Sequence, residues 1–390
     1  MNHFPRIKKL PPYIFSAMDQ IKKEIIATGA EIYDFGLGNP DQPTAPHIIK
    51  AMQEAVLNPA LHRYAPSRGI PELRRSICHW YEKKYSTQLD PETEAIVTIG
   101  SKEGLAHLML AILGDEDTVL VPDPCYPVHY YGCLIADANV ERISLFPEED
   151  FLNRLEKKVE VIKPKLLMLN FPGNPTTQCV DLSFFERVVA LAKKHKFWVM
   201  HDLAYADLVF EGYKAPSILQ VPGAKEVAVE SYTLSKTYSM AGWRVGFMCG
   251  NPILIDALAR IKSYLDYGSF APVQMAAIAA LEGPQDSVAE LCQLYQHRRD
   301  VMCEGLKEAG WEVNKPKASM FLWLKIPEPY RALGSMEFTK LLLRETHVVF
   351  SAGIGFGQQG DDYIRISLVE NDERMEKALS NIKKFMKNKP

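Results

Sequence analysis

Long apolar runs are missing from this chain. No uninterrupted stretch approaches the roughly 18–20 residues that a membrane-spanning helix requires. The first fifteen residues hold no signal-peptide apolar block, so a cytoplasmic location is expected. Cysteine is sparse: seven residues, at 78, 125, 133, 179, 249, 292 and 303, form no C-x-x-C pair and no zinc spacing. An odd, scattered set fits reduced thiols better than a disulfide framework, and no metal site is expected. Charge of one sign is lacking too. The balance of 45 basic and 48 acidic residues leaves −3, which gives no global pull toward nucleic acid or an anionic membrane. No internal repeat or low-complexity segment stands out.

What is present is an ordinary globular composition, 47% apolar and 24% charged, over 390 residues, enough for two domains. From about Asp90 to Asp266, short β-rich runs alternate with longer helical ones. The strand candidates are Ala95–Gly100, Thr118–Val121, Lys165–Asn170, Phe197–His201, Val227–Leu234 and Arg244–Cys249. Between them, helices are expected over Lys102–Leu113, Pro127–Ala136, Leu182–His195 and Pro252–Tyr264. Strands as apolar as Leu166–Leu169 suit a parallel sheet covered on both faces, so an α/β sandwich with crossover connections is expected. After about Gly283 the pattern changes. A long helix (Asp286–Ala309) precedes Ser319–Ile326, a helix near Ser335–Thr346, Val348–Ser351, Tyr363–Val369 and a final helix (Glu373–Lys387), which reads as a smaller α+β domain. The expected division is 1–44, an N-terminal segment folding back on that domain or a subunit contact, then 45–283 and 284–390.

The segment Thr233-Leu-Ser-Lys-Thr-Tyr-Ser-Met-Ala-Gly-Trp-Arg244 sets Lys236 beside two hydroxyls, Thr233 and Ser235, with an arginine at +8. An amine that condenses with a phosphorylated aldehyde cofactor would need such surroundings. Gly100-Ser101-Lys102-Glu103 joins a strand to a helix. It is either a plain helix cap or an anion site. Asn170-Phe-Pro-Gly-Asn-Pro-Thr176 follows a buried strand, and Asn174-Pro175 marks a tight turn or a cis bond there. His201-Asp-Leu-Ala-Tyr205 ends another strand. Asp202 could pair with a heterocycle nitrogen and Tyr205 could donate nearby, while His201 reads as structural. Tyr126, in Asp123-Pro-Cys-Tyr-Pro127, could stack on a flat ring or simply pack in the core. Arg365 alternates with Ile364 and Ile366. It suits bidentate capture of a carboxylate or is an edge-strand surface charge. Gly353-Ile-Gly-Phe-Gly357 lacks the strand–loop–helix setting of a nucleotide fingerprint and reads as a loop needing positive φ.

In their order along the chain these residues resemble the class I/II aminotransferases, pyridoxal-phosphate enzymes of fold type I. The likeness runs from Pro11-Pro-Tyr-Ile-Phe15 to Val369-Glu-Asn371. Four segments are similar to the bacterial alanine (glutamate–pyruvate) aminotransferases, with LL-diaminopimelate aminotransferases near. They are Gly36-Leu-Gly-Asn-Pro-Asp41, Tyr64-Ala-Pro-Ser-Arg-Gly-Ile-Pro-Glu-Leu-Arg-Arg75, Ile99-Gly-Ser-Lys-Glu-Gly104 and His201-Asp-Leu-Ala-Tyr-Ala206. The resemblance implies pyridoxal 5'-phosphate held as a Schiff base by Lys236, which also shuttles the substrate proton. It implies Asp202 on the pyridinium nitrogen, Asn174 and Tyr205 on the ring's phenolic oxygen, and Tyr126 stacked on the ring. The phosphate falls to Ser101, Lys102, Thr233, Ser235 and Arg244. Tyr64 would reach the phosphate of a neighbouring subunit, which implies a homodimer. Arg365 and the Gly38 backbone would hold the substrate α-carboxylate, with Tyr13 lining the pocket.

The activity so implied is L-alanine plus 2-oxoglutarate giving pyruvate plus L-glutamate. An LL-diaminopimelate or broad-range transaminase is the alternative, and a carbon–sulfur lyase is the chemical rival within the same fold. A regulator that kept the fold without the activity is disfavoured, because only about thirty residues precede Gly36, too few for an added DNA-binding module.

Overall fold

The computed structural model describes residues 4–11 and 18–387. Tyr13, one of the expected pocket residues, lies outside them. The strands are β1 (Tyr33–Asp34), β2 (Ala95–Thr98), β3 (Thr118–Asp123), β4 (Asn139–Ser144), β5 (Leu166–Leu169) and β6 (Trp198–Asp202). After them come β7 (Ala228–Thr233), β8 (Gly246–Gly250), β9 (Phe321–Lys325), β10 (Val348–Val349), β11 (Ser351–Ala352) and β12 (Tyr363–Ser367). Seven of these form one sheet in the order β2-β8-β7-β6-β5-β3-β4. Strands β7, β6, β5, β3 and β4 pair in parallel, and β8 runs antiparallel to both β7 and β2.

The sheet is apolar on both sides because both sides are covered. Leu167, Leu169 and Val199 point into one core, shared with the helices Pro71–Tyr85 and Leu182–His195. Leu166, Met168 and Met200 point into the other, under Ser101–Ile112 and Pro252–Leu265. The period-2 alternation of a strand, applied to all-apolar runs, produces these two cores.

The C-terminal third is built around a three-stranded antiparallel sheet, β11-β12-β9. Its apolar face packs against Asp286–Glu308, Gly334–Thr346 and Asp372–Lys387. The N-terminal segment folds back here: β1 pairs in parallel with β10, at Tyr33 with Val348 and Asp34 with Val349.

Several expectations from the sequence need correction. The run Val348–Ser351 is not one strand. It splits into β10 and β11, which belong to different sheets. Arg365 is no edge-strand surface charge, since β12 is the middle strand of its sheet and the side chain is buried. Of the three glycines in Gly353–Gly357 only Gly357 has positive φ, at 136°; Gly353–Phe356 is a 3-10 turn. Strand β4 was not singled out because its sequence, Asn-Val-Glu-Arg-Ile-Ser, is that of a half-exposed edge.

Candidate active site

The site lies along the edge of the large sheet where the parallel strands end, the place where open α/β sheets bind ligands. Each strand hands over a polar residue as its hydrogen-bonded ladder stops. Asn170 follows β5, Asp202 closes β6 and Thr233 closes β7. Thr233 then caps the short helix Leu234–Thr237 by accepting from the Ser235 N–H. That turn aims Lys236 into a cavity of 220 Å³.

The cavity gathers most of the residues singled out in the sequence. Ser101, Lys102, Thr233, Ser235 and Arg244 line it. Ser101 opens the helix Ser101–Ile112, and its preceding residue, Gly100, has φ 74°. A Cβ on Gly100 would meet Arg244 Nη2 at 2.5 Å, so only glycine lets the guanidinium lie over this helix start. Thr233 and Ser235 hydroxyls are 2.9 Å apart. Tyr126, Asn174, Asp202, Tyr205, Gly38, Phe321, Phe356 and Arg365 line it too. Asn174-Pro175 is a cis peptide bond.

Hydrogen bonds tie this set together. Arg365 donates to Asn174 Oδ1 at 2.8 Å, to the Gly36 carbonyl at 2.9 Å and to Ser351 Oγ at 3.4 Å. Its guanidinium lies over the rings of Phe321 and Phe356, at 4.2 and 4.7 Å, which strip water from the charge. Asn174 Nδ2 reaches Tyr205 Oη at 3.5 Å. Lys236 Nζ donates to the Gly38 carbonyl at 2.6 Å. Burial, then the positive charges of Arg365 and Arg244, lower the lysine's pKa from 10.5 to about 8. Burial also pushes the Tyr205 phenol up, so it stays protonated as a donor.

Asp202 is buried, and its Oδ2 lies 3.0 Å from His129 Nε2. Its Oδ1 is sealed from solvent and has no partner among the described residues. His129 was missed from sequence. The available signal was its place one helical step after Tyr126, at the start of Pro127–Ile135. Gly36, Ser351, Phe321 and Phe356 were also missed as site residues, since nothing local marks them.

One expected site residue stands apart. Tyr64 is 84% exposed, lies with its ring tilted against Tyr267 at 4.7 Å between ring centres, and does not line the cavity of its own chain. His201 is fully buried and bonded to Glu230 at 2.7 Å, a structural place. Among the described residues, Glu103, His107 and Asp266 come within 4.8 Å of one another. The Lys262 ammonium stands among them, 3.0 Å from Glu103 and 3.1 Å from Asp266, which makes the group an ion-pair cluster.

This architecture and site have known counterparts. The profile of the family "Aminotransferase class I and II" matches residues 30–382. The chain belongs to that family, and is a pyridoxal-phosphate-dependent aminotransferase of fold type I. Among individual relatives, it is 56% identical to the glutamate–pyruvate aminotransferase AlaC of Escherichia coli K12, covering 97% of this chain and 93% of that one. It is 40% identical to the LL-diaminopimelate aminotransferase of Moorella thermoacetica, covering 99% of both. Of solved structures, the apo form of BacF from Bacillus subtilis superposes with a TM-score of 0.93 at 37% identity, covering 99% of this chain and 98% of that one.

Proposed function

We propose that the enzyme interconverts L-alanine plus 2-oxoglutarate with pyruvate plus L-glutamate by a two-stage ping-pong route, with Lys236 as its central base. The identity of 56% to a glutamate–pyruvate aminotransferase, against 40–42% to the LL-diaminopimelate enzymes, supports the alanine assignment. The site assignment is carried by one observation: a buried carboxylate oxygen with no partner among the described residues, Asp202 Oδ1, in the same cavity as a lysine whose pKa is lowered to about 8.

The residues fit pyridoxal 5'-phosphate. The start of the helix Ser101–Ile112, with Ser101, the Lys102 backbone, Thr233, Ser235 and Arg244, offers donors and positive charge to a phosphate. Asp202 would take the protonated ring nitrogen on its free oxygen, while His129 orients the carboxylate. Tyr126 would stack on the ring, and Asn174 and Tyr205 would face its phenolic oxygen. When bound, the cofactor supplies a carbonyl carbon for amine exchange and a conjugated ring that takes up the electron pair left at the substrate Cα.

The protein's own part is binding, orientation and proton transfer. Arg365 holds the α-carboxylate, helped by the Gly38 backbone, and so fixes which Cα bond faces the ring. With a pKa near 8, a useful fraction of Lys236 is neutral at physiological pH. Its Nζ could then take the Cα proton and return it two atoms away, at the carbon that was the cofactor's carbonyl. Phe321 and Phe356 keep water from the clamp. Arg365→Ala should raise KM for both amino acid and keto acid by about a hundredfold, with a smaller loss in kcat.

Tyr64 serves the neighbouring subunit's phosphate in this reading, and the working unit is a homodimer. An exposed group of Tyr64, Tyr264, Leu265, Tyr267 and Phe270 supports it, because a surface patch this aromatic is normally covered. The chain divides at about 44/45 and 283/284 into an N-terminal segment, a large and a small domain. A cytoplasmic location is supported by seven free thiols, five of them buried. Among the described residues no helix is long and apolar enough to cross a membrane.

The deciding experiment is spectral: add L-alanine alone to the holoenzyme and follow the cofactor band. Conversion to the amine form, reversed by 2-oxoglutarate, is the expected outcome. A band that ignores alanine and responds to LL-diaminopimelate would move the assignment to that substrate. Pyruvate and thiol released from cysteine-type substrates without a keto acid would make the enzyme a lyase.

A further inference from the structure

The segment Phe35–Asp41 crosses from β1, on the small sheets, to the helix Pro46–Val56 beside the large one. On the way it offers two carbonyls to the site: Gly36 to Arg365 at 2.9 Å and Gly38 to Lys236 at 2.6 Å. The segment is packed tightly, for a Cβ on Gly38 would strike the Phe321 ring at 2.6 Å. Its upstream side is fixed by the β1–β10 pairing, by Gly36 N–H donating to Asp34 Oδ1 at 2.8 Å, and by Ser351 Oγ donating to the Gly36 carbonyl at 2.6 Å.

Its downstream side is tied by a buried side chain, with the Thr44 hydroxyl donating to the Ser239 carbonyl at 2.8 Å further on. Arg298, in the helix Asp286–Glu308, is 3% exposed and donates in a fork to Asp41, Nη1 to Oδ1 at 2.8 Å and Nη2 to Oδ2 at 2.7 Å. The same Nη1 donates to the Leu368 carbonyl at 3.1 Å, three residues beyond Arg365 and just past the end of β12. One guanidinium therefore ties the carbonyl that faces Lys236 to the strand that carries Arg365. Paired, planar donors of this kind fix geometry as well as charge.

We propose that Arg298, through Asp41 and the end of β12, is a positioning residue that sets the Gly38 carbonyl against Lys236 and holds the carboxylate clamp in register with it. The inference rests on the reading of Lys236 and Arg365 as the reacting amine and the clamp. Arg298 itself does not line the cavity.

The test compares Arg298→Met, Arg298→Lys and Asp41→Asn with the parent enzyme, and runs Lys236→Ala alongside. In holoenzyme kinetics, Arg298→Met should raise KM for amino acid and keto acid about tenfold, with kcat held within about threefold. Arg298→Lys, which keeps the charge and loses the fork, should show the same split to a smaller degree. The second readout uses the cofactor-free full-length chain: the pH midpoint of Lys236 labelling by an amine reagent, read by peptide mass spectrometry. The Gly38 carbonyl accepts more strongly from an ammonium than from a neutral amine. Loosening it beside Arg365 and Arg244 should lower that midpoint by about half a pH unit or more. A purely structural tie would lower thermal stability alone. Unchanged KM and an unchanged midpoint in the folded variants would overturn the inference. If Arg298→Met does not fold, Arg298→Lys and Asp41→Asn decide by the same two readouts. Wild-type turnover by Lys236→Ala would instead bring down the reading of the site itself.

Discussion

Two buried carboxylates on adjacent strands, Asp202 and Glu230, have opposite surroundings. Glu230, on β7, is fully buried and satisfied from four sides. It accepts from Tyr81 Oη at 3.0 Å, Ser217 Oγ at 2.5 Å and the Ile218 N–H at 3.0 Å, and pairs with His201 Nδ1 at 2.7 Å. The carboxylate of Asp202, at the end of β6, has His129 as its one partner among the described residues and keeps an oxygen unpaired inside a cavity. His201 and Asp202 are neighbours, so pleating sends them to opposite faces: His201 toward Glu230 and the core, Asp202 toward the cavity. A carboxylate closed by its own protein holds a fold together. One left open inside a cavity carries an unmet cost, on the order of 1–3 kcal/mol for an unsatisfied buried acceptor, that a ligand would relieve.

The contrast can be broken or sharpened by experiment. The largest effect is expected on the cavity side. Lys236→Ala should lower turnover at least about a thousandfold while leaving the melting temperature of the cofactor-free chain close to wild type. Near-wild-type turnover would remove the amine from the mechanism. Asp202→Asn should follow, with kcat/KM down by about two to three orders of magnitude and little change in unfolding by denaturant. If that variant unfolded easily and kept its turnover, Asp202 would belong with Glu230.

Glu230→Gln should do the reverse. Stability should drop by about 3–5 kcal/mol in a urea titration, because His201, Tyr81 and Ser217 lose a buried charged partner. Turnover per folded molecule should stay within about threefold of wild type.

The smallest effect concerns pH. The folded-state pKa of Lys236 is lowered from 10.5 to about 8, so between these values the unfolded chain binds the proton and the folded chain does not. Stability then rises with pH across that window, and the contribution is lost as pH falls through about 8. In the cofactor-free chain, Lys236→Met should flatten the rise between pH 8 and 10.5. An identical slope in both proteins would show that the amine is not depressed.

The strand-end residues were legible in the sequence for a physical reason. Asp202, Tyr205, Thr233, Ser235, Lys236, Asn174 and Ser101 sit where a near-continuous apolar run gives way to polar residues, and in an α/β sheet those junctions fall along one edge. Arg365 was visible as a charge in an apolar alternation, but pattern could not separate a buried side chain from a surface charge. Its middle place in β11-β12-β9, with Phe321 and Phe356 on its guanidinium, made that decision. Strand β4 escaped because edge strands lack a distinctive period.

By itself the sequence determined the strand–helix alternation, the sandwich that follows from it, and the grouping of Lys236 with Thr233, Ser235 and Arg244, because these depend on neighbours a few residues apart. Only the tertiary structure decided which oxygen of Asp202 is free and that His129 holds the other. Only the tertiary structure brought Gly38 to Lys236 and Gly36 to Arg365, at separations of 198 and 329 positions. Hydrogen bonds and burial are set in space, and a contact between distant segments leaves no periodic mark in either of them.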